Sequence, residues 1–261
     1  MTKSALALLP AVAVLGAAWP ALAGPPYLTD DPEPVDYGHW EVYGFATGSV
    51  VRGDSAGILP AMEVNYGALP DVQLHVMVPI AYNSQSVTGN QFGYGDTEFG
   101  VKYRLVNPGE GDWWPEIGIF PTVVAPTGDA AKALGTGRTH EYLPVWLQKT
   151  FGGWITDAGG GYWINPGPGN KNYWFVGGSL QRKVTDSLTL GGEVFHETAF
   201  LTGGPGTPGF PLGSRDATGF NIGAVYDFTE NYHLLVSAGR GLQNVAATNE
   251  FSYYVGYQWT Y

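Results

Sequence analysis

The strongest constraint on the fold is an alternation of apolar and polar residues that recurs in long segments of the chain. In the last segment, FSYYVGYQWTY (residues 251–261), every odd position is aromatic or aliphatic and most even positions are small or polar. Such a period of two predicts a β-strand, and no segment shows a convincing helical period. Twelve segments of this kind predict strands at residues 39–51, 57–69, 72–84, 95–105, 115–126, 140–151, 154–165, 172–184, 187–200, 216–228, 231–241 and 250–261.

The connections between these segments alternate in length. Tight turns follow the second, sixth, eighth and tenth segments, whereas residues 85–94, 127–139, 201–215 and 242–249 form long connections rich in Gly, Pro, Asn and Thr. Short turns at one end and long loops at the other are typical of outer-membrane β-barrels, in which the short turns face the periplasm. We therefore predict an all-β fold, a closed antiparallel transmembrane barrel of about twelve strands with long extracellular loops.

The lengths and faces of the segments support this interpretation. Hydrocarbon offers no hydrogen-bond partners, so a membrane-spanning sheet must close on itself and present an apolar outer face. A tilted strand of about 12 residues spans the apolar band of roughly 25 Å. In residues 95–105, Phe99, Val101, Tyr103 and Leu105 share one face, which we predict to be lipid-facing. A soluble β-sandwich is the alternative, but charged residues are only 13% of this chain, against about 25% in soluble domains.

The beginning of the chain has the order of a secretory signal. Lys3 precedes the apolar run LALLPAVAVLGAAW, and Ala21-Leu22-Ala23 forms a small-x-small cleavage site. We predict a signal peptide at residues 1–23, cleaved after Ala23, an N-terminal segment at residues 24–38 and the barrel at residues 39–261. The net charge of −11 argues against a nucleic-acid partner, and the absence of cysteine excludes disulfides and thiolate ligands.

Three stretches carry a resemblance to a known family. GPPYLTDDPEPVDYGHWEVY (residues 24–43), GYGDTEFGVKYRL (residues 93–105) and FPTVVAPTGDAAKALGTGRTHEYLPVWLQKTFG (residues 120–152) resemble the outer-membrane transporter-like proteins grouped as the putative MetA-pathway of phenol degradation family. The resemblance implies a Gram-negative outer-membrane barrel that takes up small, often aromatic or hydrophobic compounds. It carries over no catalytic residue, metal or cofactor.

The acidic stretch TDDPEPVD at residues 29–36 has two interpretations. It is either a segment that enters the barrel or binds cations, or a solvated, proline-stiffened lead into the first strand. The second interpretation is favoured, because acids alternating with prolines lack the glycine-pivoted spacing of a calcium loop.

Inward-facing polar side chains are the candidate site. Alternation places the following residues in the lumen: Glu63, Asn65, His75, Glu98, Lys102, Arg104, Ser179, Gln181, Glu193 and Glu197. Folding the second and third strands about their turn sets Asn65 opposite His75, with Lys102 and Arg104 alongside on the fourth strand. The group is either a polar constriction that selects solutes or an ion-pair network that fills a narrow barrel.

A glycine-rich loop and a histidine are candidates for nucleotide binding and for lipid hydrolysis, respectively. The loop PTGDAAKALGTGRT (residues 126–139) lacks the Gly-Lys-Ser/Thr end of a nucleotide-binding loop and is better suited to fold inward as a gate. His196 is predicted near the outer rim on the lipid side, where a lipid hydrolase would need a neighbouring serine, and Ser214 in a loop is the nearest candidate. An enzyme is therefore the least favoured function.

The sequence thus predicts a passive outer-membrane channel without cofactor or metal, with a non-conducting binding or structural barrel as the alternative. Its expected partners are outer-membrane lipid, small-molecule solutes and the barrel-assembly machinery, which would read the C-terminal strand that ends at Tyr261.

Overall fold

The computed structural model describes residues 25–51, 54–85, 89–108, 112–202 and 215–261. The predicted signal peptide at residues 1–23, its cleavage site after Ala23, and Ser214 lie outside these residues. Within them the chain forms fourteen strands in chain order: β1 (Trp40–Val51), β2 (Asp54–Leu69), β3 (Val72–Gln85), β4 (Gly89–Tyr94), β5 (Thr97–Val106), β6 (Glu116–Ile119), β7 (Thr122–Ala125), β8 (His140–Phe151), β9 (Trp154–Ile164), β10 (Tyr173–Thr185), β11 (Leu188–Glu197), β12 (Ala217–Asp227), β13 (Tyr232–Gln243) and β14 (Phe251–Thr260).

These strands make one closed antiparallel sheet, which confirms the predicted barrel. Apart from β4 with β5 and β6 with β7, consecutive strands pair with each other, and β14 pairs with β1 over the register Glu41↔Thr260 to Val50↔Phe251. Both β4 and β5 pair with β3, and both β6 and β7 pair with β8, so that each couple forms one interrupted spanning strand. The barrel therefore has twelve spanning strands. Closure pairs both sides of the twelve spanning strands, except along β4, which is paired only with β3 among the described residues.

The interruptions correct two boundaries of the sequence prediction. Most of residues 85–94, predicted as a long loop, belongs to the β3–β4 hairpin. The sequence did not indicate the strand β4, because its asparagine and glycines are typical of loops. Between β6 and β7 lies Pro121, which cannot donate a ladder hydrogen bond, so the strand is locally broken there.

The two faces of the barrel differ as the alternation predicts. The outward side chains of β5 are the exposed Phe99, Val101, Tyr103 and Leu105, whereas Lys102 between them is buried. We call the end of the barrel with the tight turns at residues 70–71, 152–153 and 186–187 the turn end, and the opposite end the loop end. Exposed aromatic rings gather on the outer surface near both ends: Trp40, Trp154, Trp174, Phe228, Tyr232, Trp259 and Tyr261.

Helical structure is minor in the described part of the chain. It comprises one 3₁₀ turn at Ala130–Lys132 and one four-residue helix, α1, at Val245–Thr248. Among the described residues, no helix is long and apolar enough to cross a membrane.

The last residue of the chain takes part in barrel closure. Trp40 N donates to Tyr261 O at 2.8 Å, and Tyr261 N donates to Trp40 O at 3.0 Å.

We expect deletion of Tyr261 to reduce the amount of heat-modifiable barrel in the outer-membrane fraction, because the terminal pair of the β1–β14 ladder is lost. Tyr261→Phe keeps both backbone bonds and should assemble normally. Unchanged barrel levels after the deletion would contradict this role.

Candidate functional site: the barrel lumen

All ten predicted lumen residues lie on the inner face of the barrel. Six are buried, namely Asn65, His75, Lys102, Ser179, Gln181 and Glu193, and four are half-buried, namely Glu63, Glu98, Arg104 and Glu197. These residues form several separate groups, each of which has its own set of hydrogen bonds or ion pairs. The largest group binds residues 25–38, which lie inside the barrel.

Residues 25–38, here called the inner segment, contact inward-facing side chains of the barrel. The carboxylate of Glu193 on β11 accepts hydrogen bonds from Leu28 N at 2.9 Å, Thr29 N at 2.9 Å and Thr29 Oγ1 at 2.8 Å. Asn221 on β12 donates to the same carboxylate at 2.7 Å. Charge-assisted bonds of this kind contribute about 1.5–3 kcal/mol each, so Glu193 is a principal anchor of the segment.

A second anchor is the buried ammonium group of Lys102 on β5. Its Nζ lies 3.1 Å from Asp30 Oδ1 and 3.3 Å from Asp31 Oδ1. It also lies 5.2 Å from the ring centroid of Phe120, within the range of a cation–π interaction. Lys102 and Asp31 are only 5% and 4% exposed. A buried charge needs such partners, because removing one leaves the other desolvated and uncompensated.

Two further contacts lie near the ends of the inner segment. Near its beginning, Ser237 on β13 donates to Pro26 O at 2.6 Å. Near its end, Val35 N donates to Gln73 Oε1 on β3 at 2.9 Å. The inner segment is therefore bonded to opposite walls of the barrel, and its position depends mainly on polar groups.

Glycines on the inner face make room for the inner segment. A Cβ atom at Gly118 would lie 2.9 Å from the Cβ of Pro32, and one at Gly191 would lie 2.9 Å from Tyr27 Oη. A Cβ at Gly177 would collide with Thr29 Oγ1. Larger side chains at these positions would collide with the inner segment and displace it.

The inner segment corrects the favoured interpretation of the acidic stretch. A solvated lead-in would expose Thr29 and Asp31, but these residues are 1% and 4% exposed. Burial raises the pKa of Glu33 to about 7, the Glu116 carboxylate adds to the rise, and Arg104 opposes it. Sequence alone missed the insertion because the partners of the segment, such as Glu193, are more than 160 residues away.

Arg104 forms a separate ion-pair group at the turn end. Its guanidinium lies 2.8 Å from Asp71 Oδ1, 3.2 Å from Glu116 Oε2 and 3.9 Å from Glu33 Oε1. This group joins the β2–β3 turn, β6 and the inner segment. Lys102 and Arg104, which the sequence placed together, therefore bind different acids.

His75 is the centre of the third group, and Asn65 lies opposite it, as the sequence predicts. Asn65 pairs with His75 in the β2–β3 register, and Asn65 Oδ1 lies 2.8 Å from His75 Nδ1. Glu63 Oε1 lies 3.5 Å from the same nitrogen, and Glu98 Oε1 lies 3.3 Å from His75 Nε2. Both ring nitrogens therefore face oxygen acceptors.

Ser179 and Gln181 belong to a fourth group, which the sequence did not connect to a charge. Ser179 Oγ donates to Asp157 Oδ2 at 2.7 Å, and Gln181 Nε2 donates to the same oxygen at 3.2 Å. Asp157 on β9 is 1% exposed. Two neutral donors thus stabilise a buried carboxylate on this wall.

A cavity of about 410 Å³ lies beside the inner segment at the turn end. Its lining includes the His75 group, Lys102 and residues of the β12–β13 turn. Acidic side chains outnumber basic ones in it: Asp30, Asp31, Glu33, Asp36, Glu41, Glu63, Glu98 and Glu230 face Lys102 and three histidines. The cavity has an electronegative lining that would concentrate cations.

The loop-end half of the lumen has an aromatic wall on one side. It consists of Tyr142, Trp146, Trp163, Tyr173, Phe175, Phe195 and Phe200, carried mainly by β8 to β11, and Phe120 packs against it from the side of the cavity. Sequence reasoning missed this wall because it considered only polar and charged side chains as lumen residues. The signal was present, since Phe195 shares its parity with Glu193 and Glu197, both assigned inward.

The loop at residues 126–139 folds against the inside of the loop end. The Asp96 carboxylate accepts hydrogen bonds from Gly128 N at 2.9 Å and Thr136 N at 2.6 Å, which fixes both ends of the loop. Leu134 is buried, and a Cβ at Gly93 would lie 3.2 Å from it. The loop therefore narrows this end of the barrel.

His196 lies on the outer face near the loop end. Its Nδ1 is 2.9 Å from Thr218 Oγ1, and that hydroxyl donates to Gln243 Oε1 at 2.8 Å. The threonine proton therefore points away from the imidazole, which is the wrong direction for a nucleophile activated by a base.

Solved structures share this architecture. A COG4313 outer-membrane channel from Pseudomonas putida F1 superposes with a TM-score of 0.71, at 16% identity, over 88% of this chain and 98% of its own. The KdgM porin matches with a TM-score of 0.56, at 9% identity, over 85% of this chain and 99% of its own. The NanC porin matches with a TM-score of 0.54, at 9% identity, over 85% and 98%. The fold is thus that of outer-membrane channels and porins.

The family follows from the sequence itself. Residues 47–258 match the model of the family described as "Putative MetA-pathway of phenol degradation", and the chain belongs to this family. This confirms the resemblance carried by the three motifs. A comparison with curated proteins found no match.

The anchoring role of Glu193 can be tested with a single cysteine, because the natural chain contains none. In a Pro32→Cys background, the buried residue 32 should react slowly with a maleimide. We expect Glu193→Gln to raise the labelling rate about tenfold, because the hydrogen bonds to Leu28 and Thr29 lose their charge assistance. Glu141→Gln, which changes an exposed carboxylate on the outer face of β8, is the matched control and should leave the rate unchanged. Equal rates in all three proteins would contradict the anchoring role.

Proposed function

We propose that this protein is an outer-membrane channel for passive uptake of small molecules, closed in the present conformation by its inner segment. The observation that carries the proposal is the way the segment is held. Its anchors are hydrogen bonds and ion pairs to Glu193, Lys102, Ser237 and Gln73, and polar contacts can exchange for water when the segment leaves.

The apolar outer face supports an outer-membrane location. With the turn end in the periplasm, both the inner segment and Tyr261 lie on the periplasmic side, where the barrel-assembly machinery would engage the C-terminal strand. A secretory signal at residues 1–23 would deliver the chain there. The loop at residues 126–139 would then narrow the extracellular entrance.

The aromatic wall supports small aromatic or hydrophobic solutes. Rings such as Tyr142, Trp163 and Tyr173 are only half-buried, so their free surface faces the lumen. Opposite them, the loop-end half of β12, β13 and β14 presents small or polar inward residues such as Asn221, Ser237 and Ser252. A flat apolar solute would move along the aromatic side.

A non-conducting scaffold is the second candidate. The observation in its favour is the number of independent anchors that hold the inner segment against several strands. A lipid-modifying enzyme has weaker support, because the hydroxyl next to His196 donates to Gln243.

Release of the inner segment should open the channel. We expect removal of residues 25 to 36, and separately Lys102→Met, to increase the frequency and size of conductance steps in planar bilayers. In Lys102→Met the buried Asp31 loses its counter-ion, a penalty of about 3–5 kcal/mol. The surface variant Asp186→Asn, in an exposed turn at the turn end, is the matched control and should behave as the unmodified protein. The absence of steps from either opened variant would exclude the channel and leave the scaffold.

Charge selectivity follows from the carboxylates around the cavity. In a potassium chloride gradient, we expect the reversal potential of the opened channel to show a preference for K⁺ over Cl⁻. The combined change Glu63→Gln and Glu98→Gln should weaken the preference, and about 1 M salt should weaken it further because screening then acts within about 3 Å. A preference for chloride would contradict the assignment.

A further inference from the structure

We propose that the loop-end half of the lumen contains a binding site for small aromatic molecules that carry an ammonium group. The rings of Tyr142, Trp163 and Tyr173 would contact the aromatic part, and the carboxylate of Glu197 would bind the cation. The inference rests on the proposed channel function and narrows its solute class to aromatic amines.

The three rings form a continuous stack across three strands. Tyr142 and Trp163 have ring centroids 4.5 Å apart at an interplanar angle of 11°, and Trp163 and Tyr173 are 5.8 Å apart at 10°. The strand register explains the stack, since Trp163 on β9 is paired with Tyr142 on β8 and with Tyr173 on β10. Phe200 extends it, 5.1 Å from Tyr173. Nearly parallel rings present one flat, apolar edge to the lumen.

Glu197 is the acidic side chain next to this stack. It is paired with Phe175 in the β10–β11 register, so it is diagonal to Tyr173 on the same inner face. Diagonal neighbours lie about 7–8 Å apart, within reach of long side chains and of a small ligand between them. The site thus combines an aromatic surface and a carboxylate at one height of the barrel.

The carboxylate of Glu197 has no partner of its own within the part of the chain that the structure describes. Lys102 and Arg104, the inward-facing cations named above, bind Asp30, Asp31, Asp71 and Glu116. Each of the other acids named in the lumen groups contacts a basic side chain or a hydrogen-bond donor, as Glu193 and Asp157 illustrate. A half-buried carboxylate among aromatic rings is costly unless a cation compensates it.

A second unsatisfied group lies in the same place. Tyr142 Oη is buried without a hydrogen-bond partner among the described residues. As an oxygen it can accept a hydrogen bond from an ammonium group. An anionic aromatic solute would instead meet Glu197 as a like charge. The chemistry of the site therefore favours aromatic amines over aromatic acids.

Calorimetry on the full protein in detergent would test the site with three probes. Phenethylamine carries both ring and cation, 3-phenylpropionate carries the ring with an anion, and butylamine carries the cation without the ring. We expect phenethylamine to bind at least tenfold more tightly than either of the others. Equal binding of phenethylamine and 3-phenylpropionate would overturn the proposal.

Two variants separate the parts of the site. Glu197→Gln should weaken phenethylamine binding about tenfold, the usual scale for loss of a charge-assisted contact. Trp163→Leu should weaken phenethylamine but leave butylamine unchanged. Glu141→Gln is the matched control, because it removes an exposed carboxylate at the same end of the barrel from the outer face. Heat-modifiable mobility on a gel would verify that each variant is folded, and phenethylamine binding that is unaffected by Glu197→Gln would overturn the assignment.

Binding and conduction fail independently. If phenethylamine binds as expected but the opened variants never conduct, the site stands and the channel does not. If the opened variants conduct but phenethylamine does not bind, the channel stands and the amine site is excluded.

Discussion

The structure depends on one constraint, the inability of hydrocarbon to form hydrogen bonds. A sheet that spans a bilayer must pair every backbone group and must close, and the β1–β14 ladder does this with its last bonds at Trp40 and Tyr261. Closure fixes which side of each strand faces outward. The same alternation that places apolar side chains on the outer face places polar and charged side chains in a narrow interior.

That interior creates a second requirement, because charges taken out of bulk water need partners. The inner segment supplies several of them. Asp30 and Asp31 neutralise Lys102, and the backbone and hydroxyl of the segment satisfy Glu193. The segment and the barrel wall thus stabilise each other. These contacts are polar, and this property supports the proposed role of the segment as a gate.

The interior is also divided along the barrel axis and around it. The turn end holds an electronegative cavity, while the loop end carries the aromatic wall and Glu197. A solute that enters from the loop end would therefore meet apolar surface first and carboxylates afterwards. Both halves disfavour anions. A molecule with a flat ring and a positive charge is compatible with each half in turn.

The sequence by itself determined the barrel, the spanning strands, the inward side of the strands with clear alternation and the Asn65–His75 pair, because a period of two and a tight turn are local properties. It misjudged residues 89–94, whose asparagine and glycines resemble a loop, and it did not consider the inward aromatics such as Phe195. Only the tertiary structure decided that residues 25–38 enter the lumen and which acid each cation binds. Those outcomes depend on groups such as Thr29 and Glu193, far apart in the chain, which only barrel closure brings within hydrogen-bond distance.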